Sequence, residues 1–383
     1  MKILWVNPSF LDYRVPLYHE LNECLSGDFH VLFSKNRIPE RVIRKVESAL
    51  GGNSHGMEGE RYLNLGRQGE FSNQGVQIPF QQGLLKAIRD IRPDIIIGEG
   101  FFQWTPLVAF YARKNKIPFW LAYERTHHTE RNCPFWRKKY RSLISYFVNG
   151  YLANGSLTTK YLKEDIKTGD KPIIEGCMSA DSSNLASRIQ KLDSHATKLE
   201  KAGLNFLFVG QFIHRKGILE LCEAWVSHSK IHPEDTLTLI GDGELKIQVE
   251  NNYSLVESIK IVGPVDYDII HNFYAAADVF VMPTLEDNWS LVVPEAMACG
   301  LPVATTIYNG CYPELVKDGV NGKVFDVLKK HSILNMLDYF HAQDLEKMGN
   351  ESRAMEAEYS PSKVALRITQ GILTNSSQSK YQE

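Results

Sequence analysis

The stretch EDNWSLVVPEAMACGLPVA, residues 286–304, opens with two acidic residues and runs into a short apolar segment that stops at Gly300. It comes directly after DVFVMPT, residues 278–284, whose apolar centre predicts a buried strand. Glu286 and Asp287 therefore lie at the carboxyl end of a strand. Because ligands of open α/β sheets bind beyond this end of the strands, the two acids are candidate binding residues.

A helix is predicted to start just after these acids. Pro294 is tolerated only in the first turn of a helix, which places the start near Ser290 and Leu291, with Ser290 as the N-cap. The free N–H groups of a first turn attract phosphate, whereas neighbouring carboxylates repel it unless they bind sugar or ribose hydroxyls. Glu295, one turn into the helix, can reach the same ligand. Acids in a first turn also stabilise the helix itself, and that alternative stays open.

Apolar strands alternate with helical segments along the rest of the chain. The predicted strands are KILWVN, FHVLFS, DIIIGEG, FWLAYE and YLANGS in the first half, and NFLFVG, LTLIGDG, IKIVGPV, DVFVMPT, LPVATT and NGKVFD in the second. Continuous apolar strands separated by helices predict parallel sheets covered on both faces. The fold class is therefore α/β, with two domains and a cleft between them.

The polar segment 183–204 separates the two sets of strands and is predicted to be a linker. Residues 1–182 then form an N-terminal domain, and residues 205–362 form a C-terminal domain. A last helix and a disordered tail, NSSQSKYQE, are expected within residues 363–383. Residues 48–80 are rich in Gly, Gln and Asn and are predicted to be a long loop.

Charge and composition exclude several classes of protein. The 383 residues carry a net charge of -2, which argues against nucleic-acid binding. Residues 1–180 hold 25 Lys and Arg against 18 Asp and Glu, and the remainder holds 18 against 27. This asymmetry fits two domains with different partners, or surfaces that merely drifted apart.

The six cysteines form no C-x-x-C pair and are predicted to be free buried thiols. Without a signal peptide or an apolar run of about 18 residues, a cytoplasmic location is expected.

A second candidate segment has the opposite charge. FVGQFIHRKGILEL, residues 208–221, is predicted to be a strand, a turn bearing Arg215 and Lys216, and a helix. Two cations at a strand-to-helix turn suit a diphosphate, whose charge grows as it leaves. The alternative is a solvated turn. The glycine turn IGDGEL, residues 240–245, is a weaker signal at another strand end.

Together these segments resemble the family 4 retaining glycosyltransferases of the GT-B fold, the glycosyl transferases group 1. The resemblance is strongest over residues 205–326, through VGQFIHRKG, LIGDGEL, IVGPV, FYAAADVFVMPTLEDNWSLVVPEAMACGLPVATT and ELVKDGVNGKVF in that order. It implies two Rossmann-like domains facing each other across a cleft, with a C-terminal helix over residues 363–383 that crosses back to the N-terminal domain. It also implies sugar transfer from a nucleotide-diphosphate sugar with retention of configuration, without a cofactor or a catalytic metal.

The resemblance also assigns the donor site. Lys216 corresponds to the diphosphate lysine, and Glu295 to the second acid of a Glu-x7-Glu motif that binds the nucleotide ribose. Either Glu286 or Asp287 is the first acid, which contacts the donor sugar; Asp287 has the expected spacing and Glu286 lies nearer the strand end. The predicted donor site comprises Arg215, Lys216, Gly243, Glu244, Val262, Glu286, Asp287, Asn288, Trp289, Ser290, Leu291, Val292 and Glu295, with backbone N–H groups from Leu291 and Val292.

Two departures from the family pattern concern charged groups. Gln211 stands where the family often has an arginine, and Arg215 is expected to compensate. Glu124, in IPFWLAYERTHHTER, stands at the position of the family's histidine and joins Lys216 and Glu286 in the predicted catalytic set. The predicted acceptor site comprises Tyr13, Arg14, Glu124, His127, His128 and Arg131. The two histidines fit a surface loop as well.

Residues 132–147, NCPFWRKKYRSLISYF, mix aromatic and basic side chains. Such a helix fits the surface of an anionic membrane, and the alternative is an ordinary helix with a basic outer face. The expected partners are therefore a nucleotide sugar, a glycan or lipid-linked acceptor and, peripherally, a membrane, but no nucleic acid.

The predicted function is a retaining glycosyltransferase that uses a UDP- or GDP-sugar to build a bacterial-type surface polysaccharide or glycolipid. The alternatives are a nucleotide-sugar epimerase or phosphorylase of the same fold, and a catalytically silent binding or partner subunit. Intact Lys216 and Glu295 weigh against a silent subunit, whereas Gln211 weighs for it. No His and Asp cluster with metal-ligand spacing stands out in the sequence, so metal-independent transfer is expected.

Overall fold

The computed structural model describes residues 1–65, 75–180, 182–191 and 202–379. The chain divides into two compact units, the first formed by Met1–Asp181 with Tyr359–Glu383 and the second by Ser182–Glu358.

The first unit is built on a parallel sheet. Its strands are β1 (Ile3–Val6), β2 (Phe29–Ser34), β3 (Ser54–Met57), β4 (Arg61–Leu65), β5 (Val76–Phe80), β6 (Ile95–Glu99), β7 (Phe119–Tyr123), β8 (Gly150–Ala153) and β9 (Ile173–Ile174). Seven strands pair in the order β3-β2-β1-β6-β7-β8-β9, and β4 and β5 form a separate antiparallel pair. The strand order reverses between β1 and β6, which is the topological switch point of a Rossmann-like sheet.

Helices cover both faces of this sheet. They are α1 (Arg14–Cys24), α2 (Glu40–Leu50), α3 (Leu84–Ile91), α4 (Thr105–Lys114), α5 (Phe135–Ser145) and α6 (Ser156–Tyr161). Ile3 and Trp5 of β1 belong to one buried apolar cluster, and Leu4 and Val6 belong to another. Successive side chains of a strand point to opposite faces, so a strand buried on both sides reads as an unbroken apolar run.

The second unit repeats this plan. Its elements are α7 (Ser182–Lys191), β10 (Asn205–Val209), α8 (Ile218–His228), β11 (Thr236–Ile240), α9 (Lys246–Tyr253), β12 (Ile259–Gly263), α10 (His271–Ala276), β13 (Val279–Met282), α11 (Val292–Ala298), β14 (Val303–Thr306), α12 (Tyr312–Leu315), β15 (Gly322–Phe325), α13 (Ser332–Tyr339) and α14 (Leu345–Ala357). The six parallel strands lie in the order β12-β11-β10-β13-β14-β15. Their switch point lies between β10 and β13.

The last helix, α15 (Pro361–Ser379), belongs to the first unit and packs against α1. Val364 and Ile368 of α15 are fully buried in the same apolar cluster as Leu17 and Leu21 of α1. The C-terminal segment therefore contributes to the core of the first unit.

All eleven strands predicted from apolar runs are confirmed, but two other expectations are wrong. Residues 48–80 are not one long loop, because they contain β3 and the β4–β5 pair, while residues 66–74 lie outside the described part. Strand β3 has the sequence SHGM at the edge of the sheet, where pairing with β2 needs no apolar run. The tail expected to be disordered is helical as far as Ser379.

The cysteines are all free, as expected, but their burial differs. Cys177, Cys222, Cys299 and Cys311 are buried, whereas Cys24 is exposed and Cys133 is partly exposed. In the part of the chain that the structure places, no helix is long and apolar enough to cross a bilayer.

Candidate functional site

Two loops meet at the switch point of the second unit. Strands β10 and β13 are parallel neighbours, and they end at Val209 and Met282. The loops that follow, residues 210–217 and 283–291, therefore leave the same edge of the sheet side by side. They carry the basic and the acidic residues that the sequence singled out.

Backbone hydrogen bonds hold these two loops together. The Arg215 carbonyl accepts from the Leu285 amide at 2.8 Å and from the Thr284 hydroxyl at 2.7 Å. Gly217 has a positive φ of 69°, and a Cβ there would lie 2.0 Å from the Pro283 carbonyl oxygen. The close approach of the loops therefore requires glycine at this position.

The ammonium of Lys216 contacts the Asp287 carboxylate directly, and both side chains are nearly buried. The Ser290 hydroxyl donates to Asp287 Oδ2 at 2.6 Å, and the Trp289 amide donates to Oδ1 at 3.2 Å. Burial alone would raise the pKa of Asp287, but the charge and hydrogen bond of Lys216 outweigh it, helped by Ser290 and by Arg215, and the pKa is lowered. Asp287 is therefore an ionised anchor for Lys216.

Ser290 does not cap the following helix, contrary to expectation. Helix α11 begins at Val292 after Leu291, without a side-chain cap, because the Ser290 hydroxyl is bonded to Asp287 instead. Among the described residues, none accepts a hydrogen bond from the amides of Leu291 and Val292. These two N–H groups remain available at the start of α11.

Glu295, in the first turn of α11, is oriented by a residue that the sequence did not reveal. The Tyr274 hydroxyl of α10 donates to Glu295 Oε2 at 3.2 Å, and Tyr274 is 1% exposed. Burial and the nearby carboxylate of Glu295 raise the pKa of Tyr274 well above its ordinary value. Tyr274 therefore stays protonated and acts as a fixed donor to Glu295.

Another undetected residue, Asn309, lies behind the acidic loop. Its side-chain oxygen accepts from the Ser290 amide at 3.3 Å, and the Gly310 amide donates to the Asp287 carbonyl at 2.9 Å. A Cβ on Gly310 would lie 1.9 Å from the carbonyl oxygen of Asn288. The loop after β14 thus braces the predicted donor residues, including the buried Trp289.

The glycine turn after β11 closes on the loop after β10. A Cβ on Gly243 would lie 2.5 Å from the Phe212 carbonyl oxygen, and the Phe212 amide donates to the Asp242 carbonyl at 2.8 Å. Glu244 in this turn and Val262 near the end of β12 both have exposed side chains. All the predicted donor residues therefore lie at or beyond the carboxyl edge of one sheet, or in the turn that begins α11.

Glu286 is also buried in this arrangement, at 5% exposure. Its backbone carbonyl accepts from Arg215 Nη1 at 3.3 Å, which ties the second cation of the basic turn to the acidic loop. The basic and acidic segments form a single, pre-positioned cluster.

The first unit has its own cavity at the corresponding sheet edge. The cavity measures about 290 Å³ and follows β6 and β7. Tyr13 and Glu124, predicted as acceptor residues, line it together. The sequence missed Glu99, Arg125 and Arg141, which also line it.

Arg14 does not line this cavity, contrary to expectation. It is 4% exposed, and its Nη2 lies 3.2 Å from Glu99 Oε1, while the Trp5 indole donates to Glu99 Oε2 at 2.9 Å. Burial outweighs the attraction of Arg14 and raises the pKa of Glu99. Arg14 is therefore a buried partner that fixes Glu99.

The other three predicted acceptor residues lie elsewhere. His127 Nδ1 lies 2.7 Å from Asp165 Oδ2, and Arg131 donates to the His128 carbonyl at 2.7 Å. His127, His128 and Arg131 are absent from the described lining of the cavity. A position in a surface loop, the alternative to an acceptor site, therefore fits these residues better.

A buried ion cluster supports the cavity wall. Glu130, 1% exposed, accepts from both terminal nitrogens of Arg141 and from Arg125 at 2.9 Å. Burial favours a high pKa for Glu130, but the charge of Arg125 and the hydrogen bond of Arg141 lower it. Glu99 lies at the end of a predicted strand and Arg125 directly follows one, so the rule that singled out Glu286 would have found them.

The folded chain also brings together side chains whose spacing in the sequence gave no sign of a metal site. Within the described residues, potential ligands gather in one cluster of the second unit, formed by His228, His232, Asp235, Asp338 and His341. Asp235 immediately precedes β11, so the cluster lies at the amino edge of the sheet, away from the loops just described.

Residues 203–337 match the family model for Glycosyl transferases group 1. The matched region lies within the second unit and includes its basic and acidic loops.

Known relatives match over part of the chain. An uncharacterized glycosyltransferase of Methanocaldococcus jannaschii is 28% identical over 42% of this chain and 46% of its own length. The UDP-Gal:alpha-D-GlcNAc-diphosphoundecaprenol alpha-1,3-galactosyltransferase of Escherichia coli is 29% identical over 36% of this chain and 37% of its own length. The chain thus spans less than half the length of these relatives.

Solved structures match over nearly the whole chain. Anabaena HepE in complex with UDP has a TM-score of 0.71 at 15% identity, covering 98% of this chain and 100% of its own. A glycosyltransferase from Rickettsia africae has a TM-score of 0.66 at 16% identity, covering 97% of each chain. The chain has the α/β GT-B fold of these solved structures, with two Rossmann-like sheets.

Proposed function

We propose that the protein is a retaining glycosyltransferase of family 4 that moves a sugar from a nucleotide-diphosphate sugar, UDP-linked in the first instance, to a glycan or lipid-linked acceptor. The observation that carries this proposal is the Lys216–Asp287 pair at the switch point of the second unit, with Glu295 oriented by Tyr274 of α10. Complexes of HepE with UDP and with UDP-glucose support the choice of nucleotide.

The basic turn suits the leaving group of this reaction. When the bond between the sugar and the diphosphate breaks, negative charge accumulates on the diphosphate, and a cation already in place lowers the barrier. Lys216 and Arg215 supply that charge, and the amides of Leu291 and Val292 add donors. A bound divalent metal is then unnecessary for the transfer step.

From their contacts we assign a different role to each of the three acidic residues. Asp287 is already bonded by Lys216, Ser290 and the Trp289 amide, so it positions the lysine. Glu286 is then the acid that contacts the donor sugar. Glu295 binds the two ribose hydroxyls, because a carboxylate accepts two hydroxyl hydrogen bonds strongly.

The acceptor binds in the cavity of the first unit. Tyr13 supplies an aromatic wall there, and Glu99, Glu124, Arg125 and Arg141 supply polar contacts. We assign Glu124 to the acceptor hydroxyl or the transferred sugar, since it follows β7 directly. The E. coli relative acts on a diphosphoundecaprenol-linked sugar, which supports a lipid-linked acceptor in the biosynthesis of a surface polysaccharide.

A lipid-linked acceptor places the protein at the cytoplasmic face of a membrane. Helix α5 exposes Phe135, Trp136 and Leu143 by 73%, 53% and 62%, beside Lys138 and Lys139. Exposed aromatic and basic side chains on one helix fit an anionic bilayer surface. We therefore propose peripheral membrane association through residues 132–147.

Product analysis with purified protein tests this function against its rivals. UDP- and GDP-sugars are first ranked by thermal shift, and the best donor is then incubated with lipid-linked sugar acceptors. A transferase releases the nucleoside diphosphate and forms a glycoside with the anomeric configuration of the donor. Binding without release would indicate a silent partner subunit, and conversion of the sugar without nucleotide release would indicate an epimerase; either result rejects the proposal.

A further inference from the structure

The cluster of three histidines and two aspartates in the second unit has the composition of a metal site. His228 ends α8, Asp235 precedes β11, Asp338 lies in α13, and His341 follows that helix. Five-residue strands at about 3.3 Å per residue separate this amino edge from the donor loops by roughly 16 Å. The cluster therefore has no part in the proposed transfer chemistry.

Three ligand atoms in the cluster converge on one point. Asp235 Oδ2 lies 2.8 Å from His228 Nε2 and 2.8 Å from His341 Nε2. His228 and Asp235 are 0% and 1% exposed, whereas the side chain of His341 is 28% exposed. One side of the group is thus rigid and buried, and the other is open to solvent.

The atoms around these ligands support ligation. His228 Nδ1 lies 3.2 Å from Asp338 Oδ1, so the carboxylate can hold the ring with its N–H on Nδ1 and the lone pair of Nε2 facing Asp235. The other oxygen of Asp235, Oδ1, accepts from the Leu204 amide at 2.8 Å, which fixes the carboxylate. Metal-binding histidines and carboxylates commonly have such outer partners.

We propose that His228, Asp235 and His341 form a zinc-type metal site, with Asp338 as the outer carboxylate of His228. Two imidazoles and one carboxylate are ligands that Zn²⁺ accepts, with water in the fourth position. Tetrahedral bonds of about 2.0–2.1 Å place ligand atoms about 3.3 Å apart. Both imidazole–carboxylate distances need to open by about half an ångström from hydrogen-bonding distance. Rotation of the partly exposed His341 supplies this for its own contact, and a small rotation of the Asp235 carboxylate supplies it for the contact with His228.

A metal here would join three separate segments of the second unit. These segments are the end of α8, the start of β11 and the turn after α13, and the ring of His232 already stacks on that of His341 with centroids 3.9 Å apart. Because the metal binds the folded arrangement and not the unfolded chain, it stabilises the unit without touching the substrate.

The test is titration of chelator-treated full-length protein with Zn²⁺ by calorimetry, and with Co²⁺ by visible absorption. One Zn²⁺ per chain should bind, the melting temperature should rise, and Co²⁺ should give the intense absorption bands of a tetrahedral site. Removing a ligand in His341→Ala, at the partly exposed position, should weaken Zn²⁺ binding at least 100-fold. Asp338→Asn should weaken it about 10- to 100-fold, as expected for an outer partner.

The matched control is His19→Ala, which removes an exposed histidine of the first unit. It should bind Zn²⁺ like the wild type. Absence of stoichiometric Zn²⁺ binding by the wild type would overturn the proposal and leave the cluster as a purely hydrogen-bonded one. Equal affinity in His341→Ala, with that variant folded by circular dichroism, would also overturn it. The readouts are binding and spectra, so they are independent of whether the protein transfers sugar.

Discussion

Lys216 and Asp287 form a nearly buried ion pair that joins the loop after β10 to the loop after β13. Each residue lies beyond the carboxyl end of its own strand, and the two strands are neighbours only because the sheet reverses its order there. The pair therefore exists because of the topology, and it places one cation where the proposed diphosphate leaves.

Replacing Lys216 should affect stability and catalysis separately. Lys216→Ala leaves the Asp287 carboxylate buried without its main partner, which commonly costs about 3–5 kcal/mol. The double variant Lys216→Ala, Asp287→Asn should recover most of that stability because no buried charge remains. It should still transfer sugar about 100- to 1,000-fold more slowly, since stabilisation of the leaving charge is lost.

Urea unfolding and single-turnover rates on the two variants measure both effects. Lys330→Ala, at an exposed position, is the control and should match the wild type. A double variant with a normal turnover number would show that Lys216 has a structural role only.

Chelation should separate the two proposed roles of metal ions. EDTA should leave the initial transfer rate unchanged, because side chains and backbone amides already neutralise the diphosphate. It should lower the melting temperature if the His228 cluster retains metal during purification. Loss of initial rate that Mg²⁺ or Mn²⁺ restores in both wild type and His341→Ala would contradict metal-independent transfer.

Acidification should destabilise the first unit through His30. Its ring nitrogen Nδ1 lies 3.0 Å from His55 Nε2, and burial, followed by the charge of His55, lowers the pKa of His30 to about 4. The unfolded chain, with an ordinary pKa of about 6.5, then binds the proton first. The contribution of the neutral His30 ring to the free energy of unfolding is therefore fully present above pH about 6.5. It is lost as the pH falls towards 4.

Thermal unfolding between pH 7 and pH 4 measures this effect. His30→Gln should flatten the loss of melting temperature over that range, whereas His19→Gln, at an exposed site, should not. An unchanged pH profile in His30→Gln would mean that His30 titrates normally in the folded protein.

The exposed face of α5 should contribute to membrane binding. Phe135 and Trp136 are 73% and 53% exposed. Replacing both by serine should lower partition into vesicles containing anionic phospholipid by at least about tenfold, because each buried aromatic side chain contributes about 1.5–3 kcal/mol. Leu255→Ser, at a 94% exposed site of the second unit, is the control. Equal partition of the double variant and the control would identify α5 as an ordinary basic helix.

Much of this architecture could be predicted from local patterns. The apolar runs identified the central strands, and the position of Lys216, Glu286 and Glu295 beyond strand ends or on the next helix singled them out. Strand β3 escaped because SHGM has no apolar pattern, and it becomes a strand only by pairing with β2. The helix after the acids was predicted, but Ser290 is not its N-cap. Its hydroxyl donates instead to the buried carboxylate of Asp287.

The supporting residues required the packed structure. Tyr274 of α10 reaches Glu295 of α11 only in the folded unit, and nothing in FYAAA indicates that contact. His228 and His341 are separated by most of the second unit in sequence, so their shared carboxylate at Asp235 appears only after folding. Arg14 follows the first strand as expected, but it turns inward because Glu99 offers a charged partner beneath the surface.

The central claim is that the acidic loop and α11 bind the donor, and calorimetric titration of acid variants tests it most directly. The ligands are the nucleotide sugar chosen by thermal shift and its free nucleoside diphosphate. Glu295→Gln should weaken both ligands, and Tyr274→Phe should weaken both by a smaller factor of about 2–12, as loss of one hydrogen bond predicts. Glu286→Gln should weaken only the intact nucleotide sugar, and Glu351→Gln, at an exposed position of α14, should change neither. If Glu295→Gln and Glu286→Gln bind both ligands as tightly as the wild type, the donor site lies elsewhere and the account is wrong.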